Sequence, residues 1–172
     1  LLLYQSLVLK DGANGYAFRG MVRAYKRMGR LDEAESWVET YLTEKPFSSA
    51  ALYASGYIFF LKEDIKKAEE LFKKALEQDD TNALALNNLG AIRLSKKSYT
   101  QAVNLVRKAI QINPKEPMFF KNLETIYKQM GNPSLIITDY NFYLKEKEDL
   151  DLIRGYGMAV GRNMRQASFR LY

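Results

Sequence analysis

Cysteine and histidine are both absent from this chain of 172 residues. Their absence excludes disulfides, thiol nucleophiles, zinc–thiolate centres, imidazole bases and haem-type ligation. It leaves the compartment open, since a cysteine-free chain suits cytosol, periplasm or the cell exterior. The apolar runs Leu1–Leu9 and Leu52–Leu61 fall short of the about 20 residues a bilayer-spanning helix needs. Neither carries the charged lead and small-residue cleavage site of a signal peptide. No stretch is low in complexity, and none alternates long enough to demand a strand.

What is present is a period. Ala34, Ala68 and Ala102 stand 34 residues apart, as do Gly56 and Gly90. Leu31, Ile65 and Tyr99 keep the same step, and so do Val38, Phe72 and Val106. Pro46, Asp80 and Pro114 close three units on that count. Apolar residues recur at three and four within each unit, for example Phe18, Met21, Val22 and Tyr25, which is helical spacing. A repeat of this length predicts stacked supersecondary units, each too small to bury its own apolar face.

Unit 83–116 resembles a tetratricopeptide repeat. In that family Trp-x2-Leu-Gly-x2-Tyr is followed by Ala-x3-Phe and a closing Pro. Leu86, Leu89 and Gly90 match the first block, Ala102 and Val106 the second, Ala109 a later small site and Pro114 the end; Arg93 departs, standing where the family has Tyr. Unit 49–82 matches through Leu52, Gly56, Phe59, Ala68, Phe72 and Ala75, and unit 15–48, more loosely, through Phe18, Tyr25, Gly29, Ala34, Val38 and Pro46. Unit 117–149 is divergent: Glu124, Ile136 and Tyr143 occupy its small sites, predicting irregular geometry for this helix pair. Residues 1–14 read as the second half of a preceding unit and residues 150–172 as a partial or capping repeat. The resemblance implies an all-α, right-handed superhelical solenoid of antiparallel helix pairs, with four full repeats and partial repeats at both ends. With no initiator Met, the expectation is a segment of a longer array or a processed product.

The connections carry start and stop chemistry. Ser98 with Gln101 forms a capping-box pattern, and Asp64 is placed to accept from free amides of the helix it precedes. Gly29 and Gly131 sit where the chain leaves one helix for the next and needs positive φ. Asn132-Pro133 reads as cap plus first helical residue. Lys45-Pro46 and Asn113-Pro114 end helices, because Pro disfavours helical geometry in the residue before it. Gly56 and Gly90 fall mid-helix, where Gly costs about 1 kcal/mol relative to Ala. Close approach of the paired helix, against Ala68 and Ala102, is the expected offset.

The net charge of +6 is banded: residues 1–30 carry +5, residues 31–80 carry −6, residues 81–130 carry +6 and residues 131–172 carry +1. The acidic band interrupts any basic track, which argues against a nucleic-acid partner. Attraction between bands fits a second reading, a self-assembling scaffold forming homo-oligomers; a solvated polar face is the plain one.

The resemblance further implies that the first helix of each unit lines a concave groove for a peptide or partner helix. Carried over by position, the groove residues are Arg19, Arg23, Lys26 and Arg27; Tyr53, Tyr57 and Phe60; Asn87 and Asn88; and Lys121, Asn122 and Thr125. The basic group takes carboxylates, Arg bidentately. The aromatics offer large contact area, or pack against the chain's own last segment. Asn88 and Asn122 resemble the asparagines that grip a peptide backbone in this family, while the Lys and Asn clamp its chaperone-tail readers use is not assembled. The implied function is a non-enzymatic interaction module without cofactor or metal. Its partner would be a protein or peptide with acidic and apolar residues. Adjacent acids such as Glu69-Glu70 and Asp79-Asp80 do not converge on one point of a helix, and no reaction is assigned to them.

Overall fold

The computed structural model describes residues 1–144, and every described element is helical. The helices are α1 (Leu2–Lys10), α2 (Gly15–Arg27), α3 (Leu31–Glu44), α4 (Ser49–Leu61), α5 (Ile65–Gln78), α6 (Ala83–Ser95), α7 (Tyr99–Ile112), α8 (Pro117–Gln129) and α9 (Leu135–Leu144). The predicted partial repeat from residue 150 lies outside the described residues. The chain forms two compact units, Leu1–Ile92 and Arg93–Tyr172, with the boundary falling inside α6.

The sequence period reappears as local geometry. Asn14, Ser48, Asn82 and Glu116, each 34 residues after the last, cap the four first helices. Their side-chain oxygens accept from the amides of Ala17, Ala51, Ala85 and Met118 at 2.9, 3.3, 3.0 and 3.3 Å. Each satisfies an amide the helix leaves free at its start. Gly29, Glu63, Lys97 and Gly131 follow the same step, and all four have positive φ: 69°, 66°, 57° and 79°. The turn between paired helices is therefore left-handed in every unit, although only two of the four residues are glycines.

Asp64 caps α5 as expected, accepting from Lys67 at 3.1 Å. Ser98 occupies the corresponding position of α7 but makes no side-chain cap bond. Its ψ of 66° leaves the extended backbone seen at Ser48, where ψ is 105°, and a short hydroxyl needs that backbone to reach the amides. The carboxylate of Asp64 is one atom longer and reaches from ψ 77°. Asn132-Pro133 does not open α9. It forms a turn in which the Leu135 amide donates to the Asn132 carbonyl at 3.2 Å, and the helix starts at Leu135. Helices α3 and α7 end at Glu44 and Ile112, before Lys45-Pro46 and Asn113-Pro114.

In the first unit α4 packs against α2, α3 and α5. Eight of its residues, from Ala50 to Phe59, are buried, which explains why it is apolar on all sides. Gly56 lets α5 come close: a Cβ there would lie 2.8 Å from two ring carbons of Phe72 and 3.2 Å from the Leu71 Cβ. The nearest atoms to a side chain at this mid-helix glycine belong to Phe72 and Leu71 of the paired helix. Phe18 meets Tyr41 edge-on at 5.2 Å, and Trp37 stacks on Tyr41 at 5.8 Å. Lys62, just after α4, pairs with Asp32 and Glu35 of α3.

In the second unit α8 packs against α7 and α9. The large residues at its small sites are accommodated by an aromatic layer. Phe120 stacks on Tyr140 with centroids 4.8 Å apart and meets Tyr143 edge-on at 5.8 Å, while Ile136 is fully buried. Beneath it, buried Asp139 accepts from Arg107 Nε and Nη2 at 2.8 and 3.1 Å and from the Tyr127 hydroxyl at 2.7 Å.

Candidate functional site

The first helices of the first unit, α2, α4 and α6, supply most of the groove residues. Their N-terminal ends converge: α2 packs on α4, and a Cβ on Gly15 would sit 3.3 Å from Leu84 Cδ1 at the start of α6. Ala17 and Phe18 of α2, Tyr53 and Ala54 of α4 and Ala83–Asn87 of α6 are buried, while Arg23, Lys26 and Arg27 in the later turns of α2 are exposed.

Tyr53 stands at the centre. Its ring stacks on Tyr57 at 6.0 Å, nearly parallel at 7°, and meets Phe72 of α5 at 5.9 Å. Arg19 and Tyr16 of α2, Tyr57 of α4 and Asn88 of α6 all act electrostatically on its hydroxyl. Burial pushes that hydroxyl far above its ordinary value, against a smaller downward pull from Arg19. Residues of three successive first helices thus act on one hydroxyl.

This enclosure corrects part of the sequence reading. Tyr53 and Asn87 are each 1% exposed, so neither side chain is available at the surface. Asn87 Nδ2 donates to Asn88 Oδ1 at 3.3 Å. The Asn88 Nδ2 atom is itself buried, on the side of the Tyr53 hydroxyl. Arg19, Tyr57 and Phe60 are half-buried, and Arg23, Lys26 and Arg27 are exposed along the later turns of α2. The first unit therefore carries exposed cations on α2, half-buried rings on α4 and a buried amide on α6. That arrangement can take carboxylates at its edge and apolar side chains further in.

Lys121, Asn122 and Thr125 lie on α8 in the second unit. Lys121 and Thr125 are exposed and Asn122 is half-buried; the Thr125 hydroxyl donates to the Lys121 carbonyl at 2.9 Å. Sequence reasoning missed the Arg107–Asp139–Tyr127 cluster, whose members come from three helices of this unit, and the buried state of Asn87. Among the described residues no group of acids is placed to hold a metal ion, and no helix is long and apolar enough to cross a membrane.

Comparison with known proteins agrees with this architecture. The chain is 31% identical over 115 residues to the tetratricopeptide repeat-containing protein trd-1 of Caenorhabditis elegans, covering 66% of this chain and 13% of that protein. It is 30% identical over 112 residues to the type IV pilus assembly protein PilF of Pseudomonas aeruginosa, covering 64% of this chain and 44% of PilF. It thus spans less than half the length of either relative. In fold it is similar to the solved structure of Pseudomonas aeruginosa pilF, with a TM-score of 0.66 at 24% identity over 94% of this chain and 74% of that one. It is similar also to TTC0263, a thermophilic TPR protein of Thermus thermophilus, with a TM-score of 0.67 at 16% identity over 92% and 88% of the two chains. Two sequence models described as tetratricopeptide repeat match residues 19–83 and 59–123. With helix pairs capped and turned every 34 residues, and with those two matches running from residue 19 to residue 123, the chain belongs to the tetratricopeptide repeat family.

Proposed function

We propose that this chain is a non-enzymatic protein-interaction module whose first unit holds an acidic, partly apolar segment of a partner protein in the groove of α2, α4 and α6. The observation that carries this reading is the stacking of Tyr57 on the buried ring of Tyr53, whose hydroxyl Arg19 of α2 and Asn88 of α6 also act on. A binding face assembled from three consecutive first helices reads an extended or helical segment better than a point ligand. Arg23, Lys26 and Arg27 anchor carboxylates at the open edge, and the rings of Tyr57 and Phe60 receive an apolar anchor. Aromatic and Arg side chains are the residue types on which binding energy concentrates. The name of PilF, a pilus assembly protein, supports a role in holding components of a larger assembly.

The test is isothermal titration of the whole chain with a synthetic peptide alternating Glu and Leu, against the same peptide with Lys for Glu. The Glu form should bind, weaken as salt rises, and lose at least tenfold in affinity with Tyr57→Ala or with Arg23→Glu combined with Lys26→Glu. Equal affinity for both peptides, or crosslinks confined to α3 and α5, would refute the groove. Sedimentation across salt concentrations addresses the second reading: salt-sensitive oligomers that persist in these variants would favour self-assembly through the charge bands.

A further inference from the structure

Helix α3 differs from the other second helices in its charge. Its sequence, LDEAESWVETYLTE, holds five acids and no base. Helix α5 instead pairs acids with its own lysines, Glu69 with Lys73 and Glu70 with Lys74. Midway along α3 stands Trp37, the one tryptophan of the chain. Together with Tyr25 of α2 and with Asp32, Glu33, Ser36 and Thr40 of α3 it lines a shallow depression of about 410 Å³. The Ser36 and Thr40 hydroxyls donate to the Asp32 and Ser36 carbonyls of their own helix, which leaves the two carboxylates to set the charge of this depression.

The repeat register points to the kind of guest. One step takes Tyr25 to Phe59 and Glu33 to Lys67. In that next unit the Lys67 Nζ lies 3.7 Å from the centre of the Phe59 ring, so the place is filled from within by an ammonium over an aromatic face. In the first unit an aromatic ring remains, but the lysine gives way to glutamate. Leu71 gives way to Trp37, and the indole is the aromatic surface that attracts cations most strongly. Arg30 comes only within 5.9 Å of the Tyr25 ring centre, held by Glu33 in a pair exposed at both ends.

The opening does not depend on the place of this unit in the chain. In the next unit, which α3 precedes, Lys66, Lys67, Glu70 and Lys74 stand where Asp32, Glu33, Ser36 and Thr40 stand here, and they are exposed likewise. Leu71 is half-buried there, as Trp37 is here.

We propose that this depression is a docking site for a lysine side chain of a partner protein, its ammonium beside Glu33 and its methylene stem along the Trp37 ring. Glu33 and Trp37 stand four residues apart and share a face of α3. A carboxylate accepts more than one donor, and an exposed pair is held weakly, so Glu33 receives the guest alongside Arg30. Asp32 adds a second negative charge; its side chain is 93% exposed although paired with Lys62. The site belongs to α3 and the last turn of α2, and stands if the groove of α2, α4 and α6 binds nothing.

Trp37 fluorescence reads this site alone. Titration of the whole chain with the peptide acetyl-Gly-Lys-Gly-amide should give a saturable change that weakens as salt rises. The same peptide with norleucine for lysine keeps the stem without the charge, and should bind about fivefold more weakly. Glu33→Lys puts an ammonium where the next unit has one and should abolish the change, while Arg30→Ala removes a competing cation and should strengthen binding. No saturable change in the parent chain, equal binding of the norleucine peptide, or binding retained by Glu33→Lys would overturn the proposal. So would binding that appears only in Arg30→Ala, since Arg30 would then be the resident cation. Sedimentation showing a dimer that Glu33→Lys dissolves would overturn it too, because a second copy would then supply the lysine.

Discussion

The ring of Phe72 occupies the space a side chain on Gly56 would need, with two of its carbons 2.8 Å from the position of that Cβ. The ring is fully buried and held against Tyr53, so it cannot swing aside. Gly56→Ala should therefore destabilise the protein although Ala is the better helix former. Overpacking of up to about 3 kcal/mol outweighs a propensity gain of about 1 kcal/mol. A net loss of about 1 kcal/mol in urea unfolding is expected, and a gain would refute the packing argument.

Glu63 and Lys97 hold the left-handed turn that Gly29 and Gly131 hold elsewhere. A side chain in that conformation costs about 1–2 kcal/mol, and glycine returns part of this through its greater freedom in the unfolded chain, up to about 1 kcal/mol. Glu63→Gly and Lys97→Gly should each stabilise by about 0.5–1 kcal/mol. The backbone bonds from these residues to the Phe60 and Leu94 carbonyls are available to glycine as well. Denaturant melts decide the sign, and a lower midpoint for both variants would count against strain at these turns.

Burial holds the Tyr53 hydroxyl protonated well above its ordinary value of 10.0, and the Tyr127 hydroxyl is raised by burial and by its bond to Asp139. Between the unfolded and folded values the unfolded chain has released a proton that the folded chain keeps. Stability is then fully present below about pH 10 and falls as pH rises beyond it. Tyr53→Phe and Tyr127→Phe should each flatten the decline of stability between about pH 10 and pH 11. Variants whose alkaline slopes match the parent would refute this assignment.

Asp139 joins α7, α8 and α9 through Arg107 and Tyr127. Asp139→Asn removes the charge that both partners point toward. It should cost about 1.5–3 kcal/mol, toward the lower end because the Arg107 side chain is 43% exposed and partly served by water. Tyr127→Phe leaves the ion pair in place and should cost about 1 kcal/mol. Thermal denaturation ranks the two, and the opposite order would show that the hydroxyl, not the carboxylate, organises the cluster.

The sequence alone determined the period, the helix pairs, the stops before Pro46 and Pro114, and the left-handed turns at Gly29 and Gly131. All of these follow from backbone chemistry within a few residues. It also placed Arg19, Tyr57 and Asn88 on first helices. Only the tertiary structure decided that Tyr53 and Asn87 are buried, because helical spacing fixes which side chains share a face and not how closely three helices approach. Gly15 and Leu84, nearly 70 residues apart in the chain, come together at the starts of α2 and α6. Asp139 was hidden for the same reason: an isolated acid acquires meaning when folding brings it a cation and a hydroxyl from two other helices.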